Sequence, residues 1–295
     1  MDKLTLFLGT FGILIGLSSC EPEQRGFVVP ARDYEDQRAV DNDSLLSFLQ
    51  NRFYNYEEYQ STDVGERVDF TIDTIKGVNA NKTPLIDQVN AVTLKVKDND
   101  GVYHDHTAYI LPLREGQGTS PTIADSVFVT YKGMLLNLNE FDERTSPIWF
   151  ESLNVVKGFR NLMPYIKKGA DPTVNTDGTY SFSGFGSAAV FMPSALGYYN
   201  DVLSGIPEYS PLIFAVDLYT YNTTDHDGDS VPTFLEDVDG DGYFDDDTDG
   251  DRTPDFRDID DDNDDVLTRD EYDINGDNVP DDTDNDGIPD YLDRD

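Results

Sequence analysis

The chain has 295 residues, 38% of them hydrophobic and 12% aromatic, which is enough apolar material for a core and leaves room for one or two domains with tails. Its formal net charge is −38, from 59 acidic and 21 basic residues, and this balance excludes nucleic acid as a partner, because binding a polyanion needs a basic face. It points instead to cations, or to a solvated acidic segment.

Residues 4–17 read LTLFLGTFGILIGL, an uncharged apolar run that follows Lys3. The run falls short of the roughly 20 residues a membrane span needs and suits the apolar region of a signal peptide. It ends in Leu17-Ser18-Ser19-Cys20, and Cys20 is the sole cysteine, so an intrachain disulfide is excluded. This ending resembles the bacterial lipobox. The resemblance implies that residues 1–19 are a lipoprotein signal peptide and that Cys20 is lipidated. The acyl chains, at about 0.8 kcal/mol per buried methylene, would then hold the mature chain on a membrane of the cell envelope. The acidic run Glu21-Pro22-Glu23-Gln24 is similar to that of surface-exported lipoproteins of the Bacteroidetes type, which points to the outer membrane, facing the periplasm or the surface.

Residues 20–42 are polar, mixed in charge and without periodicity, and read as a tether. Asp43 or Ser44 is then placed to cap a short helix carrying Leu45, Leu46, Leu49 and Phe53 on one face. Residues 67–75, 91–97 and 107–113 alternate as strands do. Residues 43–105 carry no legible chemistry and read as an extension that packs on the next domain. His104 and His106 fall on one side of a strand; two His without a third ligand make a weak metal site, and exposure to solvent is the expectation. Residues 126–131, 188–193 and 212–219 are strongly β in character, and Phe159, Leu162, Met163 and Ile166 lie at helical spacing within 155–168, where Pro164 should kink the helix or shift its boundary. The pattern over 106–222 is α+β, an antiparallel sheet packed on one helix.

Five blocks in this region, in order, resemble the FKBP-type (macrolide-binding) peptidyl-prolyl cis-trans isomerases. They are LREGQGTSPTIADSVFVTYKGML with Val129, Tyr131 and Gly133; the pair Phe141-Asp142; Val155-Val156-Lys157-Gly158-Phe159; FMPSALGYY with Tyr198; and Ile206-Pro207 followed by LIFAVDL with Phe214. The resemblance implies a bent antiparallel sheet wrapped around one helix. It also implies a proline pocket lined by Tyr131, Phe141, Asp142, Ile148, Val155, Val156, Phe159, Tyr198, Ile206 and Phe214. Tyr198 would donate to a substrate carbonyl, Ile206 would hold the substrate, and Phe159 would be the floor. Asp142, oriented by Tyr131, would be a polar wall, with Phe141 and Phe214 beside it. The implied activity is isomerisation of X-Pro bonds in exported or envelope polypeptides, without a catalytic cofactor. Phe159 stands where the family usually has Trp, Ile148 is aliphatic, and residues 170–187 are longer than the family's turn. A non-catalytic, FKBP-like binding module in an envelope or surface assembly is the alternative reading.

The composition shifts near Thr223. From Asp225 to Asp295 there are 30 Asp and Glu against 4 Arg, a net of 4 − 30 = −26. The acidic residues keep the spacing of a calcium loop, in which alternate oxygens curl round one hard cation. Asp225, Asp227, Asp229 and Glu236 fall at positions 1, 3, 5 and 12, and Asp260, Asp262, Asp264 and Glu271 repeat this. Asp237, Asp239, Asp241 and Asp245 fit the opening of another loop. Asp247, Asp249, Asp251, Asp255 and Asp258 form a fourth, Asp273, Asn275, Asp277, Asp281 and Asp284 a fifth, and Asp282, Asp284, Asp286, Asp290 and Asp293 a sixth. Pro232, Pro254, Pro280 and Pro289 interrupt the loops, so residues 223–295 resemble thrombospondin type 3 repeats more than paired EF-hands. The expected role of calcium is structural, with a metal-free tail that is extended and a loaded one that is compact.

Overall fold

The structure is a computed structural model and describes residues 31–294 apart from 64 and 278; Cys20 and the signal peptide lie outside the described residues. Residues 32–294 belong to one unit. Helix α1 spans Tyr34–Asn51, and its first turn is fixed by the Asp33 carboxylate, which accepts from the backbone N–H of Glu35 and Asp36. The helix therefore begins well before Asp43, and residues 34–42 are not tether. Short elements follow: strand β1 (Arg52–Tyr54), helix α2 (Tyr56–Ser61) and strand β2 (Ile72–Thr74), with β1 paired antiparallel to β2. Phe53 thus sits on β1, and of residues 67–75 only the last part is strand.

The main sheet has six antiparallel strands: β3 (Asn90–Lys97), β4 (Tyr103–Arg114), β5 (Ser126–Leu135), β6 (Glu140–Glu151), β9 (Gly186–Met192) and β10 (Leu212–Asn222), ordered β3-β4-β9-β10-β5-β6. A small hairpin, β7 (Thr173–Val174) and β8 (Tyr180–Ser181), occupies the long insertion. The sheet runs straight across residue 105, because β4 contains it and β3 is the partner of β4. Residues 43–105 therefore contribute an edge of the domain's own sheet.

The central strands β9 and β10 are apolar on both faces, since both faces are covered. Val190, Met192, Leu212, Phe214 and Val216 enter a core with Phe159, Leu162, Met163 and Ile166. Ala189, Phe191, Ile213 and Ala215, offset by one residue, enter a second core with Leu45, Phe48 and Leu49 of α1. Burying a side chain such as Phe191, which is 0% exposed, stabilises the fold by about 2 kcal/mol.

The expected helix over 155–168 is two short turns, helix α3 (Lys157–Arg160) and a 3-10 turn at Met163–Tyr165. Pro164 lies in the first positions of the second turn, where its missing N–H costs nothing. His106 is 1% exposed, not solvated; His104 is half-buried and bonds Asp98 at 2.8 Å and Glu35 at 3.3 Å.

Candidate functional site

Between the sheet and α3 lies a cavity of about 410 Å³. All nine residues Tyr131, Phe141, Asp142, Val155, Val156, Phe159, Tyr198, Ile206 and Phe214 line it. They come from β5, β6, the entry to α3, the segment between β9 and β10, and β10 itself. The walls are edge-to-face rings: Phe141 on Phe214 at 5.5 Å, Phe159 on Phe214 at 5.3 Å, and Tyr131 on Phe159 at 6.1 Å. Gly133 permits this. A Cβ there would stand 2.6 Å from the Phe141 ring and 3.0 Å from Phe214. Gly158 plays the same part beneath, where a Cβ would meet the Met192 sulfur at 2.0 Å.

Ile148 does not line the cavity; it is 37% exposed. The register of β5 against β6 slips between the Val129–Ile148 and Tyr131–Arg144 pairs, so that Thr145–Pro147 of β6 stand against Thr130 alone. Phe150 fills the wall instead, tilted 5.5 Å from Tyr131 and edge-on to Phe159 at 6.0 Å. Phe150, Asn154, Leu203 and Ser204 complete the lining and were not among the residues the sequence singled out.

The polar groups converge on one side. The Tyr131 hydroxyl donates to the Asp142 carboxylate. Burial, with the Asp142 bond adding, pushes the Tyr131 phenol up to about 12. Burial and then the Asp142 charge also raise Tyr198. Both phenols therefore stay protonated at neutral pH. Tyr198 donates to no acceptor among the described residues, so its O–H is available to a guest.

The roof is the segment between β9 and β10. A tight turn closes at Leu203 and Ile206, which exchange backbone hydrogen bonds of 3.1 and 3.0 Å across Gly205 at φ +83°. Helix α1 holds this segment from behind. The Asp41 carboxylate, 1% exposed, accepts from the Ser194 N–H at 2.8 Å and the Ser194 hydroxyl at 2.6 Å. Tyr34 stacks on Tyr199 with centroids 4.3 Å apart, the Tyr199 hydroxyl donates to the Arg32 carbonyl, and the Arg32 N–H donates to Tyr209.

The acidic tail docks at the end of α3. Arg160 donates to the Gly242 carbonyl at 2.5 Å, and the Lys157 ammonium lies 3.4 Å above the centre of the Tyr243 ring. Its carboxylates gather as the loop spacing predicted at Asp225, Asp227 and Asp229, at Asp247, Asp249 and Asp251, and at Asp260, Asp262 and Asp264. Two expectations change. Asp246, not Asp245, joins Asp237 and Asp239, because Asp245 pairs with Lys97 at 2.9 Å and Asp241 accepts from Tyr103. Asp255, Asp281 and Asp290 hold the second residues of their own loops, accepting from Thr248, Ile274 and Thr283. Each 3-10 turn at Thr233–Leu235, Asp255–Arg257 and Asp290–Leu292 follows a Pro, so three of the four prolines start the turn that leads into the twelfth position of their loop.

Residues 117–219 match the family model described as FKBP-type peptidyl-prolyl cis-trans isomerase. Among curated proteins the chain is similar to the FKBP-type peptidyl-prolyl cis-trans isomerase FkpA of Escherichia coli (strain K12), 30% identical over 128 residues that cover 42% of each chain. It is also similar to the peptidyl-prolyl cis-trans isomerase Mip of Coxiella burnetii, 41% identical over 61 residues, 20% of this chain and 26% of that one. The crystal structure of FkpA from Escherichia coli aligns with 64% of this chain and 62% of its own at 20% identity and a TM-score of 0.36. The chain spans about two fifths of the length of the FkpA relative it matches.

Proposed function

Proceeding from residues 117–219 as a domain of the FKBP-type peptidyl-prolyl cis-trans isomerase family, we propose that this chain isomerises X-Pro bonds in polypeptides of the cell envelope. The observation that carries the reading is that one aromatic cavity gathers nine residues from five separated segments.

The chemistry needs no nucleophile and no general base. Rotation about an X-Pro amide is opposed by resonance, with a barrier of about 18–20 kcal/mol. A site that favours the twisted amide over the planar one lowers that barrier. The dry walls of Phe141, Phe159 and Phe214 remove water that stabilises the planar, polar amide. The free O–H of Tyr198 is suited to hold a substrate carbonyl, and the Tyr131–Asp142 pair gives one wall a fixed polarity.

The chain would work at a membrane and take its tail's stability from calcium. A lipid at Cys20 would hold it on the membrane; no helix among the described residues is long and apolar enough to cross one. The tail would bind calcium as a structural ion. Buried carboxylate oxygens without partners in two loops, at Asp227, Asp229 and Glu236 and at Asp260, Asp262 and Glu271, support this, because unpaired buried charge is costly.

The test is isomerisation of a short X-Pro peptide by the full chain and by Tyr198→Phe and Asp142→Ala, with calcium and with a chelator. Loss of one hydrogen bond, about 1 kcal/mol, predicts a roughly fivefold slower rate for Tyr198→Phe. Asp142→Ala, which also removes the partner of Tyr131, is expected to lose about tenfold. Unchanged rates in both folded variants would remove these residues from the site, and a folded wild type without activity would leave a binding module.

A further inference from the structure

We propose that Asp261 completes a calcium site that joins the loop Asp225–Glu236 to the loop Asp260–Glu271, a deepening that rests on the calcium reading of the tail. Asp261 stands outside the alternate-residue register: it is the second residue of the loop Asp260–Glu271, a position the spacing leaves without a ligand role. Yet its carboxylate lies with those of Asp229 and Glu236, their donor oxygens all within 4.8 Å of one another. All three side chains are 1% exposed.

Neither carboxylate oxygen of Asp261 has a hydrogen-bond partner, and neither oxygen of Glu236 has one. One oxygen each of Asp227 and Asp229 is likewise buried and unpartnered. Their other oxygens are taken by the loop's own backbone, through the N–H groups of Asp229 at 3.3 Å and Val231 at 2.8 Å. These four side chains therefore hold six buried carboxylate oxygens that no protein donor reaches. Asp229 also belongs to the group formed with Asp225 and Asp227, so it links the two groups.

The donor set selects the guest. Oxygen ligands alone, with several full negative charges, suit a hard cation, and six to eight oxygens at about 2.3–2.6 Å are what calcium takes. Oxygens on opposite sides of such an ion stand about 4.6–5.2 Å apart, a span this group allows. Magnesium, at about 2.0–2.1 Å with rigid octahedral demands and retained waters, fits a closed cage of side chains less well. The cation would do for the tail what a buried ion pair does elsewhere: a residue some thirty positions along the chain closes the first loop, so that loading locks two repeats together.

Calcium titrations of the full chain, read by hydrogen–deuterium exchange segment by segment, test this. In the wild type, calcium is expected to protect residues 225–236. Asp261→Asn keeps the shape of the side chain but removes its charge. It should raise the calcium concentration needed for that protection at least about tenfold, while protection of 273–293 keeps its midpoint. Glu236→Gln should do the same. Asp260→Asn, at the first ligand position of its own loop, should act on 260–271 and leave 225–236 largely unchanged. An unaltered midpoint for 225–236 in Asp261→Asn overturns the cross-repeat site while the calcium reading of the tail stands. A wild type that gains protection in no loop overturns both. Unchanged exchange in β9 and β10 verifies that each variant is folded.

Discussion

His106 shows what one buried side chain imposes on the protein. It is 1% exposed on β4, neither ring nitrogen has a hydrogen-bond partner, and Tyr34 lies edge-on to it at 6.2 Å. Burial lowers its pKa to about 4, with the charges of Arg38 and His104 adding and those of Glu35 and Asp105 opposing. The folded value is below that of the unfolded chain, about 6.5, so the neutral ring contributes its full stability above pH 6.5. That contribution is lost as pH falls through the window from 6.5 to about 4. A shift of that size corresponds to about 3 kcal/mol. In urea unfolding, the stability difference between wild type and His106→Leu should therefore move by about 3 kcal/mol against the wild type between pH 7 and pH 4. A constant offset would mean that the ring finds a proton acceptor when charged. The sequence could not give this burial: alternation places His104 and His106 on the same side of β4, the Tyr34 ring lies against both, and only the tertiary packing separates a half-solvated ring from a dry one. The same holds at the pocket. The order of Tyr131, Phe141, Phe159, Tyr198 and Phe214 was legible as a series of blocks, whereas Phe150 enters and Ile148 leaves because of a register slip that leaves no mark in composition.

At the scale of elements, α1 is the part the sequence hid most completely. Its first half, Tyr34 to Ser44, has no apolar periodicity, because the side chains it buries there are Gln37 and Asp41. Those two are satisfied by each other at 2.7 Å and by Ser194, a partner some 150 residues away. In 155–168 the reverse happened. The spacing of Phe159, Leu162, Met163 and Ile166 marked four residues that are all buried, but Pro164 splits the helix that the spacing implied. The contacts of α1 reach the pocket through its roof. Tyr34→Ala removes the stacking on Tyr199, worth about 0.5–1.5 kcal/mol. Backbone exchange over 197–209 should then rise severalfold. KM for an X-Pro peptide should rise with it, since the roof carries Tyr198 and Ile206, while kcat changes little once substrate has ordered the segment. Unchanged exchange in the roof would reduce α1 to a cover for the far face of the sheet.

The whole molecule joins three regions that the sequence reads as separate, and the join lies next to the pocket. Lys97, the last residue of edge strand β3, donates its N–H to the Tyr243 hydroxyl at 2.7 Å and pairs its ammonium with Asp245. From the other side, Lys157 of α3 covers the Tyr243 ring, and burial lowers its pKa to about 8, with the Arg160 charge adding and the tail carboxylates opposing. Tyr243 is therefore the pin between β3, α3 and the tail. Tyr243→Ala deletes a cation–π contact worth about 1 kcal/mol and the acceptor of the Lys97 N–H, worth about another. Global stability should fall by about 2 kcal/mol. The more telling effect concerns reach. In the wild type, calcium loading of the tail should slow exchange at 155–161, because Arg160 holds the Gly242 carbonyl and α3 carries Phe159 on the pocket floor. In Tyr243→Ala the calcium effect should stop within the tail. Calcium-dependent protection of 155–161 that survives the substitution would transfer the coupling to Arg160 alone. Its absence in the wild type would make the tail a docked appendage that leaves the floor of the pocket as it is.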